Sequence, residues 1–299
     1  MAVSVRPRRS VLYMPGSNSR ALEKAKSLPA DGLILDFEDA VSPDAKPEAR
    51  ANVAKALSSG GKPYGKREVI VRINGLNTPW GMDDVAAVAK SGADGIAIPK
   101  VESADGIRQV QAAVRAAGGP EDLPIWAMIE TPMGVLRAEE IAGASPFVAG
   151  LVMGTSDLAK DLHCEHTFDR EPFLTAFSLV ILASRAHGVA ALDGVHLDLA
   201  DDAGFAAACA QGRRLGFDGK TLIHPKTVAA ANAAFAPSPE AVEKAKRLIE
   251  TYAAAVARGQ GVVVLDGKLI EQLHVDNARR LVALAEAIAA IEAEAGVSA

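Results

Sequence analysis

Cysteine is nearly absent: Cys164 and Cys209 are the only two in 299 residues, too few and too far apart for a disulfide framework or a zinc finger. Such sparing use fits a reducing, cytoplasmic setting. Aromatic residues make up 4% of the chain and no long basic block accompanies them. With little to stack bases or track phosphates, no nucleic-acid partner is expected. Neither sign of charge dominates, since 32 Lys and Arg against 37 Asp and Glu leave a net charge of −5. An apolar run of membrane-spanning length is missing as well. The most apolar window, Leu174 to Leu192, is broken by Ser178, Ser184, Arg185 and His187, and Arg6, Arg8 and Arg9 lead into no apolar signal segment. Neither a membrane partner nor a secretory signal is expected.

What is present is ample material for a core, because 49% of the residues are hydrophobic and most are Ala, Val, Leu and Ile. From Val11 onward, short apolar runs alternate with Ala-rich amphipathic segments about every 30 residues, the period of βα units. The runs are Val11–Met14, Gly32–Glu38, Glu68–Asn74, Gly95–Lys100, Ile125–Thr131, Gly150–Gly154, Ala190–Val195 and Gly219–His224. Between them, Ser19–Leu28, Pro47–Leu57, Gly81–Lys90, Ser103–Ala117, Gly134–Ile141, Glu171–His187 and Asp202–Leu215 read as helices. Ser103 suits an N-cap, and Gly188 and Gly216 stand where helices should end. Eight buried strands, each followed by a helix, predict an α/β fold of the (β/α)8 TIM-barrel type over residues 1–236. An open doubly wound sheet is the alternative, because periodicity does not show closure.

After Pro237 the pattern changes. Glu240–Arg258 and Leu273–Glu294 read as long helices flanking a hairpin with an Asp266-Gly267 turn, so residues 237–299 form an extension suited to a lid or a subunit contact.

In such a barrel the C-terminal strand ends carry the chemistry. Ile125-Trp-Ala-Met-Ile-Glu130 and Gly150-Leu-Val-Met-Gly-Thr-Ser-Asp157 are consecutive apolar strands, each expected to end in a carboxylate at its tip. Two acids facing each other there are costly without a cation, and Mg²⁺ commonly takes only one or two protein carboxylates. Glu130 and Asp157 are therefore the expected metal ligands, with Asp36, Glu38 and Asp39 around metal-bound waters. Arg72, flanked by core residues, is expected to grip a carboxylate or carbonyl oxygen, and Lys100 in Ile98-Pro-Lys100 has the same option. A cation beside a guanidinium suits chemistry in which a carbonyl oxygen becomes negative. No nucleophile elbow, P-loop or dinucleotide fingerprint is present.

Several stretches resemble the citrate lyase β-subunit-like family, which includes malyl-CoA and citramalyl-CoA lyases. They are Arg9-Ser-Val-Leu-Tyr-Met-Pro-Gly16, Asp36-Phe-Glu-Asp-Ala-Val41, Val71-Arg-Ile-Asn-Gly-Leu-Asn-Thr-Pro-Trp-Gly81, Ile98-Pro-Lys100, Ile129-Glu130, Gly216-Phe-Asp-Gly-Lys220 and Ile223-His-Pro225. The resemblance implies a barrel assembled as a homotrimer or hexamer, using Mg²⁺, with Mn²⁺ as a substitute. It implies a lyase that makes or breaks a carbon–carbon bond between an acetyl- or propionyl-CoA thioester and glyoxylate or pyruvate. The same resemblance leaves two other outcomes, hydrolysis of malyl-CoA and service as a citrate lyase β subunit on an acyl carrier protein. Tyr13, Pro15, Gly16 and Arg20 then line the coenzyme A channel. In this family the C-terminal hairpin carries an Asp that acts in a neighbouring subunit's site. The matching segment here is Gly267-Lys-Leu-Ile-Glu271, so Glu271 or Asp266 is the implied catalytic base. The longer side chain of Glu271 moves its carboxylate by roughly 1 Å, a displacement large enough to alter a proton transfer.

Overall fold

In the computed structural model, which describes residues 5–58 and 62–294, the eight strands close into one parallel barrel in sequential order. The first half comprises β1 (Ser10–Pro15), α1 (Ser19–Ala25), β2 (Gly32–Asp36), α2 (Lys46–Leu57), β3 (Glu68–Arg72), α3 (Gly81–Ala89), β4 (Gly95–Ile98) and α4 (Ala104–Ala116). The second comprises β5 (Ile125–Ile129), α5 (Pro132–Leu136), α6 (Ala138–Ala142), β6 (Val148–Met153), α7 (Thr155–Leu162), α8 (Leu174–His187), β7 (Ala190–Asp193), α9 (Asp202–Leu215), β8 (Gly219–Leu222) and α10 (Val228–Phe235). Closure comes from β1 pairing β8 in register, Ser10 opposite Lys220 and Leu12 opposite Leu222.

Strand alternation separates two cores. Val11, Ile34, Ile70, Ala97, Trp126, Met128, Val152 and Leu192, all from strands, pack together as the barrel filling. Their neighbours Leu12, Leu33, Leu35, Val71, Ile96, Ala127 and Leu151 pack with helix residues such as Leu22, Val53, Ile107 and Phe177. Burial on both faces is why these strands read as unbroken apolar runs. Trp126 is fully buried, and Gly150 makes room for it, since a Cβ there would run into the indole ring.

The helix boundaries follow local chemistry. Ser103 Oγ accepts from Gly106 N–H at 3.3 Å and caps α4. Gly188 and Gly216, at φ 68° and 109°, end α8 and α9 in the left-handed region that glycine enters freely. The segment expected as one helix from Gly134 to Ile141 is broken at Arg137, whose φ of −108° separates α5 from α6. Helices α7 and α10 add to those expected.

Arg8–Phe235 is one compact unit, and the segment from Ala236 belongs to a second. In the second, α11 (Pro239–Val256) and α12 (Gln272–Glu294) flank the antiparallel pair β9 (Val263–Leu265) and β10 (Lys268–Ile270). Tyr252, Ile270 and Val275 form its small core. Among the described residues no helix is long and apolar enough to cross a membrane.

Candidate active site

The C-terminal ends of β2 to β6 bring together most of the expected site residues. β2 ends on Asp36, whose two oxygens accept from Arg72 Nε and Nη2 at 2.6 and 2.7 Å and from the backbone N–H groups of Glu38 and Ala40. Arg72 is thereby locked along one edge, while Nη1 lies 2.8 Å from Glu38 Oε2 and 3.4 Å from Asp39 Oδ2. The contact to Glu38 is close without being aligned, since Glu38 Oε2 has no hydrogen-bond partner. Tyr13 packs its ring against the guanidinium, centroid to Cζ 4.9 Å. Burial, and secondarily the acids around it, push the Tyr13 phenol above its ordinary range.

Glu130 directly follows β5. Thr131 Oγ1 accepts from Gly134 N–H at 3.1 Å, capping α5 with Pro132 in its first turn, so the chain turns away just after the carboxylate. Glu130 Oε1 accepts from Lys100 N–H at 2.7 Å. Gly154 floors the site, for a Cβ there would collide with Glu130. Burial, then the nearby Glu38 charge, raise the Glu130 carboxyl to about 7, against the partial relief offered by Lys100 and Arg72. Burial likewise raises Glu38.

Asp157 is displaced from the strand tip where sequence placed it. β6 stops at Met153, and Asp157 sits in the first turn of α7, where an acid complements the helix dipole. It still reaches the mouth. Lys100 Nζ lies 3.1 Å from Glu38, 3.4 Å from Asp157 and 3.9 Å from Glu130. Burial works against the Lys100 charge, yet these acids outweigh it and hold the ammonium above its usual range.

Lys100 Nζ lies within 4 Å of both Glu130 and Asp157, so the two carboxylates flank one cationic position. The donors are all oxygens, as a hard divalent ion requires. Around it, Asp36, Glu38, Asp39, Glu130 and Asp157 face Arg72, Lys100 and the exposed Lys160, five carboxylates to three bases. A buried carboxyl driven toward neutrality in such a negative pocket fits a Mg²⁺ ligand pair. Among the described residues no group of three His, Cys, Asp or Glu is arranged to hold a metal, so waters and substrate would complete the shell.

The remaining expected residues are not part of this cluster. Gly16 N–H donates to Asp36 O at 2.9 Å, keeping Pro15 and Gly16 beside the β2 end, and Arg20 is exposed on α1. Asp266 and Glu271 belong to the second unit. Asp266 occupies the hairpin turn at φ 50° and pairs with Arg247, while Glu271 is exposed after β10.

Sequence reasoning missed a second buried charge cluster. Asp193 follows Leu192 on β7 and therefore points out of the barrel, where Arg170 Nη1 bonds it at 2.7 Å and Lys220 Nζ at 3.0 Å. The alternation Ala190-Ala-Leu-Asp193 carried that signal. His224 is taken up as a cap, its Nδ1 accepting from Lys226 N–H.

Residues 9–225 match the model of the HpcH/HpaI aldolase/citrate lyase family. A (3S)-malyl-CoA thioesterase of Cereibacter sphaeroides is 50% identical over 98% of this chain and 100% of its own length. An L-malyl-CoA/beta-methylmalyl-CoA lyase of the same organism is 36% identical over 97% of this chain and 98% of its own. Protein CitE from Mycobacterium tuberculosis, solved with magnesium, acetoacetate and coenzyme A, superposes with a TM-score of 0.75 at 27% identity, covering 96% of this chain and 100% of CitE.

Proposed function

Because the chain belongs to the HpcH/HpaI aldolase/citrate lyase family, we propose that it is a Mg²⁺-dependent enzyme acting on a malyl-CoA-type thioester, which it hydrolyses to the free acid and coenzyme A. The observation that carries the reading is the single cation position shared by Glu130 and Asp157 beside a rigidly held guanidinium. Hydrolysis is placed ahead of carbon–carbon cleavage because the full-length thioesterase relative is markedly more similar than the lyase relative.

Each residue then has a task. Glu130 and Asp157 hold the ion, which when bound would polarise substrate oxygens and stabilise negative charge developing on them. Asp36 aligns Arg72, more a positioning role than a water-holding one, since both its oxygens are engaged. Arg72 offers its Nη1 side to a substrate carbonyl or carboxylate in competition with Glu38 and Asp39. Tyr13, Pro15, Gly16 and Arg20 line the way in for the coenzyme, and Lys100 meets the substrate's carboxylate at the mouth. Proton transfer falls to Glu271 or Asp266. Glu271 is the more available of the two, as Arg247 already engages Asp266. Assembly as a homotrimer or hexamer in the cytoplasm completes the proposal.

A second reading keeps the same site for lyase chemistry. Cation and guanidinium at one carbonyl are what an enolate needs, and the lyase relative matches nearly end to end. Purified protein incubated with Mg²⁺ and malyl-CoA distinguishes the two. Coenzyme A released without an equal amount of glyoxylate is the expected result; equal amounts of glyoxylate and acetyl-CoA would establish cleavage. Glu130→Ala or Asp157→Ala should lower metal-dependent turnover by at least about a hundredfold, roughly the loss expected when a charge-stabilising group is removed. Wild-type rates in either variant would sink the reading.

A further inference from the structure

Lys100 combines two unusual features. Its φ of 49° lies in the left-handed region, which non-glycine residues rarely enter. That turn, just after Pro99, lets one residue contact the site twice: its N–H bonds Glu130 Oε1 at 2.7 Å, while its side chain returns to place the ammonium among Glu38, Asp157 and Glu130. Of the three ammonium contacts, only that to Glu38 is an aligned hydrogen bond. The side chain is 43% exposed, so it has solvent to move into.

We propose that Lys100 is an internal stand-in for the metal: its ammonium fills the cation position in the metal-free protein and is displaced when a divalent ion binds, so that metal affinity is set by competition with it. The inference rests on the assignment of Glu130 and Asp157 as ligands. Charge supports the exchange, because replacing one positive charge with two better balances a pocket rich in carboxylates. Geometry supports it too. The ammonium gives up unaligned contacts to Asp157 and Glu130 and keeps its hydrogen bond to Glu38, so displacement is a short pivot toward the mouth. The backbone contact to Glu130 is untouched by that pivot, and the ligand stays aimed whichever cation is present.

The experiment is a Mn²⁺ titration by calorimetry on the full-length wild type, Lys100→Met, Lys100→Gln and Glu130→Gln, with no substrate present. Removing the ammonium should tighten Mn²⁺ binding on the order of tenfold in both Lys100 variants, as expected for deleting a like charge at contact distance. Thermal unfolding supplies a readout independent of affinity. In chelator the Lys100 variants should melt below wild type, and saturating Mn²⁺ should close that gap. Unchanged or weaker binding in both variants, or a gap that persists in Mn²⁺, overturns the inference. Glu130→Gln separates it from the reading beneath: if wild type shows no Glu130-dependent binding, the metal assignment itself fails, whereas Glu130-dependent binding that Lys100→Met does not strengthen refutes only the stand-in.

Discussion

At the scale of single residues, the site is a problem in charge balance. Glu130 is buried with one backbone donor and an ammonium 3.9 Å away, and its carboxyl rises from 4.5 to about 7. In the metal-free protein the native state therefore binds that proton more tightly than the unfolded state does. Its contribution is greatest below pH 4.5 and is lost as pH climbs through 7. Relative to Glu130→Gln, the wild type in chelator should lose stability by about 3 kcal/mol over that window, measured by denaturant unfolding at several pH values. A flat difference would show that Glu130 ionises freely. Glu130 and Arg72 were readable from sequence because each is a charge at the end of an apolar run, a placement that the pattern of residues makes conspicuous. The double contact of Lys100 was not, since it depends on a backbone turn that Pro99 precedes but does not dictate. Asp157 was assigned to the right mouth on the wrong element, because Gly154-Thr-Ser-Asp157 reads equally as a strand end and a helix start.

Elements position these residues through small-residue contacts. Gly154 has an ordinary φ of −105°, so its role is space, not conformation. Gly154→Ala would push a methyl group into Glu130. We expect a destabilisation of about 1–3 kcal/mol, typical of overpacking, and Mn²⁺ binding weakened at least tenfold, read by thermal melts and calorimetry. Stability lost with metal affinity intact would mean that Glu130 yields without leaving the ion. The strands were readable because burial on both faces removes polar residues from them. Helix α9 was recovered to the residue, Asp202–Leu215, where Asp201 caps one end and Gly216 the other. Helix α7 was missed for a physical reason: it spans eight residues, and its polar face belongs to the site. The break at Arg137 was missed because neither Gly nor Pro marks it.

For the whole molecule, the ion proposed to lie between the β5 end and α7 would also act as a clasp on the native state. At a Mg²⁺ concentration a hundred times the dissociation constant, mass action adds about 2.7 kcal/mol of stability, which should appear as a raised melting temperature that chelator reverses. Asp157→Ala should melt alike with and without Mg²⁺. Barrel closure was expected from the count of eight repeats and not from any local signal, since the pairing of β1 with β8 joins positions that no local pattern connects. Buried charges tie the staves on either side of that seam to their neighbours: Arg9 pairs with Asp31, and Lys220 with Asp193.

That seam, Ser10 against Lys220, has a consequence for how the protein comes into being. During synthesis the first stave leaves the ribosome long before its eventual neighbour exists, so the nascent chain must carry a bare, apolar edge through most of translation. A chain halted short of Leu222 is left as an unclosed sheet, prone to sticking to others of its kind, and only arrival of the eighth stave lets the ring seal.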